Sequence, residues 1–254
     1  MQFVFSAITG TFILSETKRI ALLIDCDNVR ASAIEGVLEE LATHGTVNVR
    51  HAHGDWNNPS LSGWAEKLHP HAIRPMQQFA YTKGKNATDS AMIIDAMDLL
   101  YSGNVDAFAL MTSDSDFTPL VLRILESGFP VYGFGEKKTP QPFVDSCSPF
   151  IFIENLLPAK KSDDDNESVT ARVPRAKLRQ DARLVKLLRT AVDQTANDDG
   201  WSDMSRVGSY ISNNNPSFSP VNYGYRRLSD LLKATEFFKI DHQETRMLVR
   251  DPKN

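Results

Sequence analysis

The sequence predicts an α/β domain built on a mostly parallel sheet, followed by a small winged-helix domain. Three observations lead there. Apolar runs alternate with helical patterns as far as residue 157. A polar, charge-rich stretch then interrupts the pattern over 158–177. Beyond it, three helical patterns precede two short strands. Parallel strands need crossover connections, so strand–helix alternation implies a parallel sheet. Three helices and a hairpin form the winged-helix pattern, and a unit of about 75 residues can fold alone.

Each element has its own reason. RIALLID at 19–25 is a continuous apolar run ending on an acid, as expected of a strand buried on both faces. Residues 31–44 carry Ile34, Val37, Leu38 and Leu41 at helical spacing and stop at Gly45. TVNVRHAH at 46–53 alternates as a strand, 59–68 is a short helix, and 72–79 is a strand weakened by Pro75. A helix covers 88–101, a buried strand 106–112 and a helix 116–127 closed by Gly128. FPVYGF and FIFI give strands at 129–134 and 150–153 around a short helix near 142–146. In the second domain, helices are expected from Leu178, over 204–212 and over 221–233, with strands at 237–240 and 247–250.

Composition narrows the function classes. The 254 residues suit two domains, and 41% hydrophobic residues suffice for a core in each. The net charge of −4 excludes a uniformly basic nucleic-acid coat. The charge is uneven, with 11 basic and 18 acidic side chains in residues 1–157. Two cysteines, Cys26 and Cys147, rule out a disulfide framework or a four-cysteine zinc site, and a reducing cytoplasm is expected. Residues 1–14 are apolar but lack a basic leader, so 1–18 is read as an extension. No membrane span is expected.

The chemistry gathers at strand ends. The first strand delivers Asp25, Asp27 and Asn28. The 106–112 strand delivers Ser113, Asp114 and Asp116, and Asp89 opens the helix before it. Ligands of open parallel sheets bind outside the carboxyl ends of the strands. Carboxylates crowded there repel one another unless a cation offsets them, and hard oxygen donors suit Mg²⁺ or Mn²⁺. Such ions promote phosphodiester hydrolysis. There is no Gly-rich phosphate loop of the nucleotide-kinase kind. Asp95 follows Asp89 by six positions, about 240° round a helix, so Asp89 is the favoured ligand. His51 and His53 share a strand face, but no third His or Cys lies near in sequence. His53 is therefore read as active-site wall or stacking surface.

These residues carry a resemblance. LLIDCDN, GDW, KGKNATD and TSDSDF, in that order over 19–155, resemble an NYN domain of the LabA-like branch, within the PIN-like ribonuclease superfamily. The resemblance implies a three-layer α/β/α sandwich. It implies a catalytic, metal-binding set of Asp25, Asp89, Asp114 and Asp116, with Asn28 and Ser113 as polar helpers. One or two Mg²⁺ or Mn²⁺ ions and a metal-bound water nucleophile follow from it. Lys83 and Lys85, in the glycine-containing loop before Asp89, are candidates for holding substrate phosphates.

WSDMSRVGSYI and FSPVNYGYRRLSDLLKATEFFKI, within 178–254, resemble an OST-HTH or LOTUS domain. That implies RNA binding or docking of a protein partner. Tyr223, Tyr225, Arg226 and Arg227 combine aromatic and basic groups suited to RNA. The expected function is a metal-dependent ribonuclease with an appended RNA-binding module. A catalytically silent RNA-binding scaffold is one alternative. A haloacid-dehalogenase-like phosphatase is another, with Asp25 as nucleophile and Asp27 as general acid.

Overall fold

The computed structural model describes residues 17–78, 87–157, 172–243 and 246–253. The expected extension up to residue 16, linker residues 158–171, and Lys83 and Lys85 lie outside the described residues.

The first domain runs β1 (Arg19–Asp25), α1 (Ile34–Leu41), β2 (Thr46–Gly54), α2 (Ser62–Leu68), β3 (Arg74–Gln77), α3 (Ala87–Ser102), β4 (Ala107–Met111), α4 (Thr118–Glu126), β5 (Val131–Gly135), α5 (Gln141–Ser146) and β6 (Phe150–Phe152). The six strands form one sheet in the order β3-β2-β1-β4-β5-β6. Every neighbouring pair is parallel. Pro75 is tolerated because β3 is a short edge strand.

Alternate residues of β1 feed two cores. Ile20, Leu22 and Ile24 pack with Ile34, Val37 and Leu41 of α1 and Trp64 of α2. Ala21 and Leu23 face the other way, against Met92, Ala96 and Leu100 of α3 and Leu120, Val121 and Ile124 of α4. The chain is thus an α/β/α sandwich, and burial of both sheet faces explains the unbroken apolar runs. The strand order reverses between β1 and β4. At such a reversal the flanking connections leave in opposite directions and open a crevice at the carboxyl ends.

The second domain comprises α6 (Arg175–Gln180), α7 (Ala182–Gln194), β7 (Ser202–Asp203), α8 (Met204–Asn214), α9 (Leu228–Thr235), β8 (Lys239–Gln243) and β9 (Arg246–Arg250). Its sheet has the order β7-β9-β8. Three details differ from the sequence reading. Helix α6 begins inside the stretch read as linker. The helix expected over 221–233 is two pieces: a 3-10 turn at Pro220–Tyr223 ends on Gly224 at φ 79°, and α9 starts only at Leu228. Glycine takes that left-handed backbone without steric cost, so it breaks the helix. Strand β7 is two residues long, too short to leave a periodic signal.

The two domains meet at an open sheet edge. The Asn222 side chain donates from Nδ2 to the Phe150 carbonyl at 2.8 Å and accepts from the Phe152 N–H at 2.9 Å. It thus occupies the hydrogen-bonding groups of β6 as a further strand would, which blunts an edge otherwise open to pairing. The Phe150 N–H donates to the Ser217 carbonyl, and Val221 packs on the first core. Asn222→Ala removes both side-chain bonds, each worth about 1 kcal/mol. The Ser217 and Val221 contacts survive, so the variant is expected to loosen the interface rather than abolish it, with faster amide exchange at Phe152; unchanged exchange there would contradict the brace.

Candidate active site

The site is built at the reversal between β1 and β4. Asp25 is the last residue of β1 and is completely buried. Its Oδ2 accepts from Thr112 Oγ1 at 2.7 Å and from Asn28 Nδ2 at 2.8 Å. Its Oδ1 is buried and has no hydrogen-bond partner. Burial pushes the Asp25 carboxyl above its ordinary value, and the Thr112 and Asn28 hydrogen bonds only partly oppose that.

Asp114 follows β4 and caps the 3-10 turn Ser115–Phe117, accepting from the Asp116 N–H at 2.9 Å. Its own N–H donates to Thr112 Oγ1 at 3.1 Å, so Thr112 links the two strand-end acids. Asp116 is exposed at the mouth, and Asp89 lies partly buried in the first turn of α3. The Asp89 carboxyl is pushed up to about 6, first by burial and then by the charges of Asp25, Asp114, Asp116 and Asp27. Asp89 thus senses the charge of the other four acids, whereas among the described residues the ligand atoms found within 4.8 Å of one another are those of His51, His53 and Asp95. Asp27 faces α3, accepting from Thr88 Oγ1 at 3.3 Å.

The raised Asp89 carboxyl has a stability consequence. Its folded-state pKa exceeds the ordinary carboxylate value, so between about pH 4 and 6 the native state binds more protons than the unfolded chain. Metal-free protein should therefore lose stability as pH rises through that window. Thermal unfolding in chelator should show Asp89→Asn gaining on wild type between pH 5 and 7. Parallel curves would contradict the coupling.

The other expected residues fall differently. Ser113 is buried, and its Oγ accepts from the Glu136 N–H at 2.8 Å, tying β4 to the loop after β5. Tyr225 is 8% exposed and belongs to the core of the second domain, with Arg172 over its ring. Arg226 and Arg227 are exposed just before α9. His53 is fully buried, so the stacking surface read for it is excluded.

Sequence reasoning passed over a second cluster. Asp95 Oδ2 lies 2.7 Å from His51 Nδ1 and 2.9 Å from His53 Nε2. Burial alone would raise the Asp95 carboxyl, but the bonds and charge of the two histidines outweigh it and hold it well below the usual range. The signal was the alternation of His51 and His53 on one strand face, which needed α3 in place to supply the third group.

This arrangement can be set against known families. A profile of the NYN domain matches residues 19–154, more than half of the chain. The chain belongs to the NYN domain family. The NYN domain thus begins with β1 and ends just after β6, and it contains all four expected catalytic acids. Its assignment displaces the phosphatase alternative. A second profile, the OST-HTH/LOTUS domain, matches residues 179–249, from α6 into β9.

Among solved structures, a protein of unknown function from Vibrio parahaemolyticus is 22% identical, with a TM-score of 0.46, covering 56% of this chain and 96% of its own. An uncharacterized protein from Nitrosomonas europaea is 26% identical, with a TM-score of 0.25, covering 37% of this chain and 85% of its own. No curated protein matches. Among the described residues, no helix is long and apolar enough to cross a membrane.

Proposed function

We propose that this protein is a metal-dependent ribonuclease in which Asp25, Asp89, Asp114 and Asp116 hold Mg²⁺ or Mn²⁺, and in which the C-terminal module binds the RNA. The NYN domain belongs to the PIN-like nuclease superfamily, and OST-HTH/LOTUS domains are associated with RNA binding. The observation that carries the reading is that Asp25 and Asp114 share Thr112 at the β1–β4 edge, and that Asp89 of α3, raised to about 6 first by burial, also senses the charges of Asp25, Asp114 and Asp116. A cation relieves that repulsion. The donor set fits: the side chains are hard oxygen donors, and Asp25 Oδ1 is a buried oxygen without a partner.

When bound, such an ion supplies a polarised water and neutralises charge on the phosphodiester. The protein's own groups prepare the place. Thr112 and Asn28 fix Asp25 through Oδ2 and leave Oδ1 for the ligand role. Asp116, the exposed member, is placed to meet substrate first. Arg226 and Arg227, with Lys83 and Lys85, are the proposed phosphate contacts, so binding should weaken with salt. Asn28 acts through Asp25.

The test is metal dependence. Chelator-treated protein should leave single-stranded RNA intact, and Mn²⁺ or Mg²⁺ should restore cleavage. Cleavage that persists in chelator would contradict the reading. RNA binding without cleavage under either ion would favour the silent scaffold.

A further inference from the structure

A second group of ligand atoms lies on the α3 side of the sheet, apart from the four acids. His51 Nδ1, His53 Nε2 and Asp95 Oδ2 all lie within 4.8 Å of one another. The histidines come from β2 and the carboxylate from α3, one helical segment of about 9 Å below Asp89. We propose that these three side chains form a site for a transition-metal ion of the Zn²⁺ class, which ties α3 to β2 and so fixes the helix that carries Asp89.

Donor chemistry separates this site from the acid cluster. Two imidazoles and a carboxylate suit zinc-like ions, whereas Mg²⁺ favours oxygen alone. Tetrahedral ligands at bonds of about 2.0 Å stand roughly 3.3 Å apart. The two nitrogen–oxygen separations, 2.7 and 2.9 Å, need to open by only about half an ångström. Side-chain exposures of 15%, 1% and 14% for His51, His53 and Asp95 describe a mostly dehydrated pocket with one open side. Asp95 also lines a surface cavity of about 400 Å³ with Met76, Gln78, Ser90 and Ala91, so solvent reaches the cluster's carboxylate member.

His53 Nδ1 and Asp25 Oδ1 are both buried without a partner. The residues are register partners on adjacent parallel strands, so their side chains share a face. With His53 donating from Nε2 to Asp95, its Nδ1 is left as a buried acceptor without a partner. A metal ion on Nε2 moves the proton to Nδ1, which then has an N–H to offer Asp25 Oδ1. Metal-bound histidines commonly donate their second N–H to a carboxylate in this way.

The experiment uses the full chain carrying Asp114→Asn, so that the acid site contributes little. Chelator-stripped protein is titrated with Co²⁺ and with Zn²⁺. One equivalent is expected to bind, with a Co²⁺ visible band of low coordination number and two shifted, exchangeable imidazole N–H resonances. His51→Gln and Asp95→Asn should each weaken binding about 10-fold or more. Lack of a stoichiometric ion, or of the two imidazole signals, would overturn the proposal even if a variant misfolds, because both are read without it. Undiminished binding in folded His51→Gln would overturn it too. Because the readout is binding, the site can fail or stand independently of the ribonuclease reading.

Discussion

Asp25→Asn is expected to abolish RNA cleavage and to leave the metal-free fold at least as stable as wild type. The two effects have one cause. Asp25 is completely buried, and its carboxyl is raised by that burial. The native state therefore holds an acid that is costly to ionise, as expected if Asp25 is kept for a bound cation. Asparagine keeps an oxygen for the Thr112 and Asn28 hydrogen bonds and removes the charge. It also removes a ligand and weakens the shell that an ion needs. An ion supplies several kcal/mol to phosphoryl chemistry. A loss of about 4 kcal/mol corresponds to roughly 10³-fold in rate. Single-turnover cleavage and thermal unfolding in chelator measure the two sides together. Retained cleavage with a lowered unfolding temperature would mean that Asp25 is a structural acid.

The position of Asp25 was legible in the sequence. RIALLID announces a strand buried on both faces, and its last residue must emerge at the carboxyl edge, so Asp25 could be placed from the chain alone. The same reasoning placed Asp114 and Asp116 after β4, and helical spacing placed Asp89 at the start of α3. Local pattern suffices where a side chain's position follows from its own element.

It does not suffice where two elements must meet. Thr112 reads as the last residue of an apolar strand, and only the β1–β4 pairing shows that its hydroxyl holds Asp25. Asp95 was read against Asp89 on one helix, whereas its partners are on β2, more than 40 positions earlier. Asn222 reads as part of the helix expected over 221–233 until β6 is seen to need an edge partner. Tyr225 shares a stretch with two arginines, but the break at Gly224 turns its ring into the core and leaves Arg226 and Arg227 outside.

The second large effect is expected at Asp114. Its carboxylate is partly exposed and its fold role is modest, a cap on the 3-10 turn through the Asp116 N–H. Asparagine is an equally good cap, so Asp114→Asn should fold as wild type does. What it removes is the charge of the acid that directly follows β4, whose backbone N–H shares Thr112 Oγ1 with Asp25. With that charge gone, the repulsion on Asp89 falls and its carboxyl should move back toward the ordinary value. The cation loses a ligand from the strand opposite Asp25, and a loss of roughly 10³-fold in cleavage is expected.

Cleavage of a labelled single-stranded RNA in Mn²⁺, by wild type and by Asp114→Asn at equal folded fraction, tests the shared-carboxylate site most directly. The wild type should cut and the variant should not. Equal cleavage by both would show that the acids at the β1–β4 crevice are not the catalytic site.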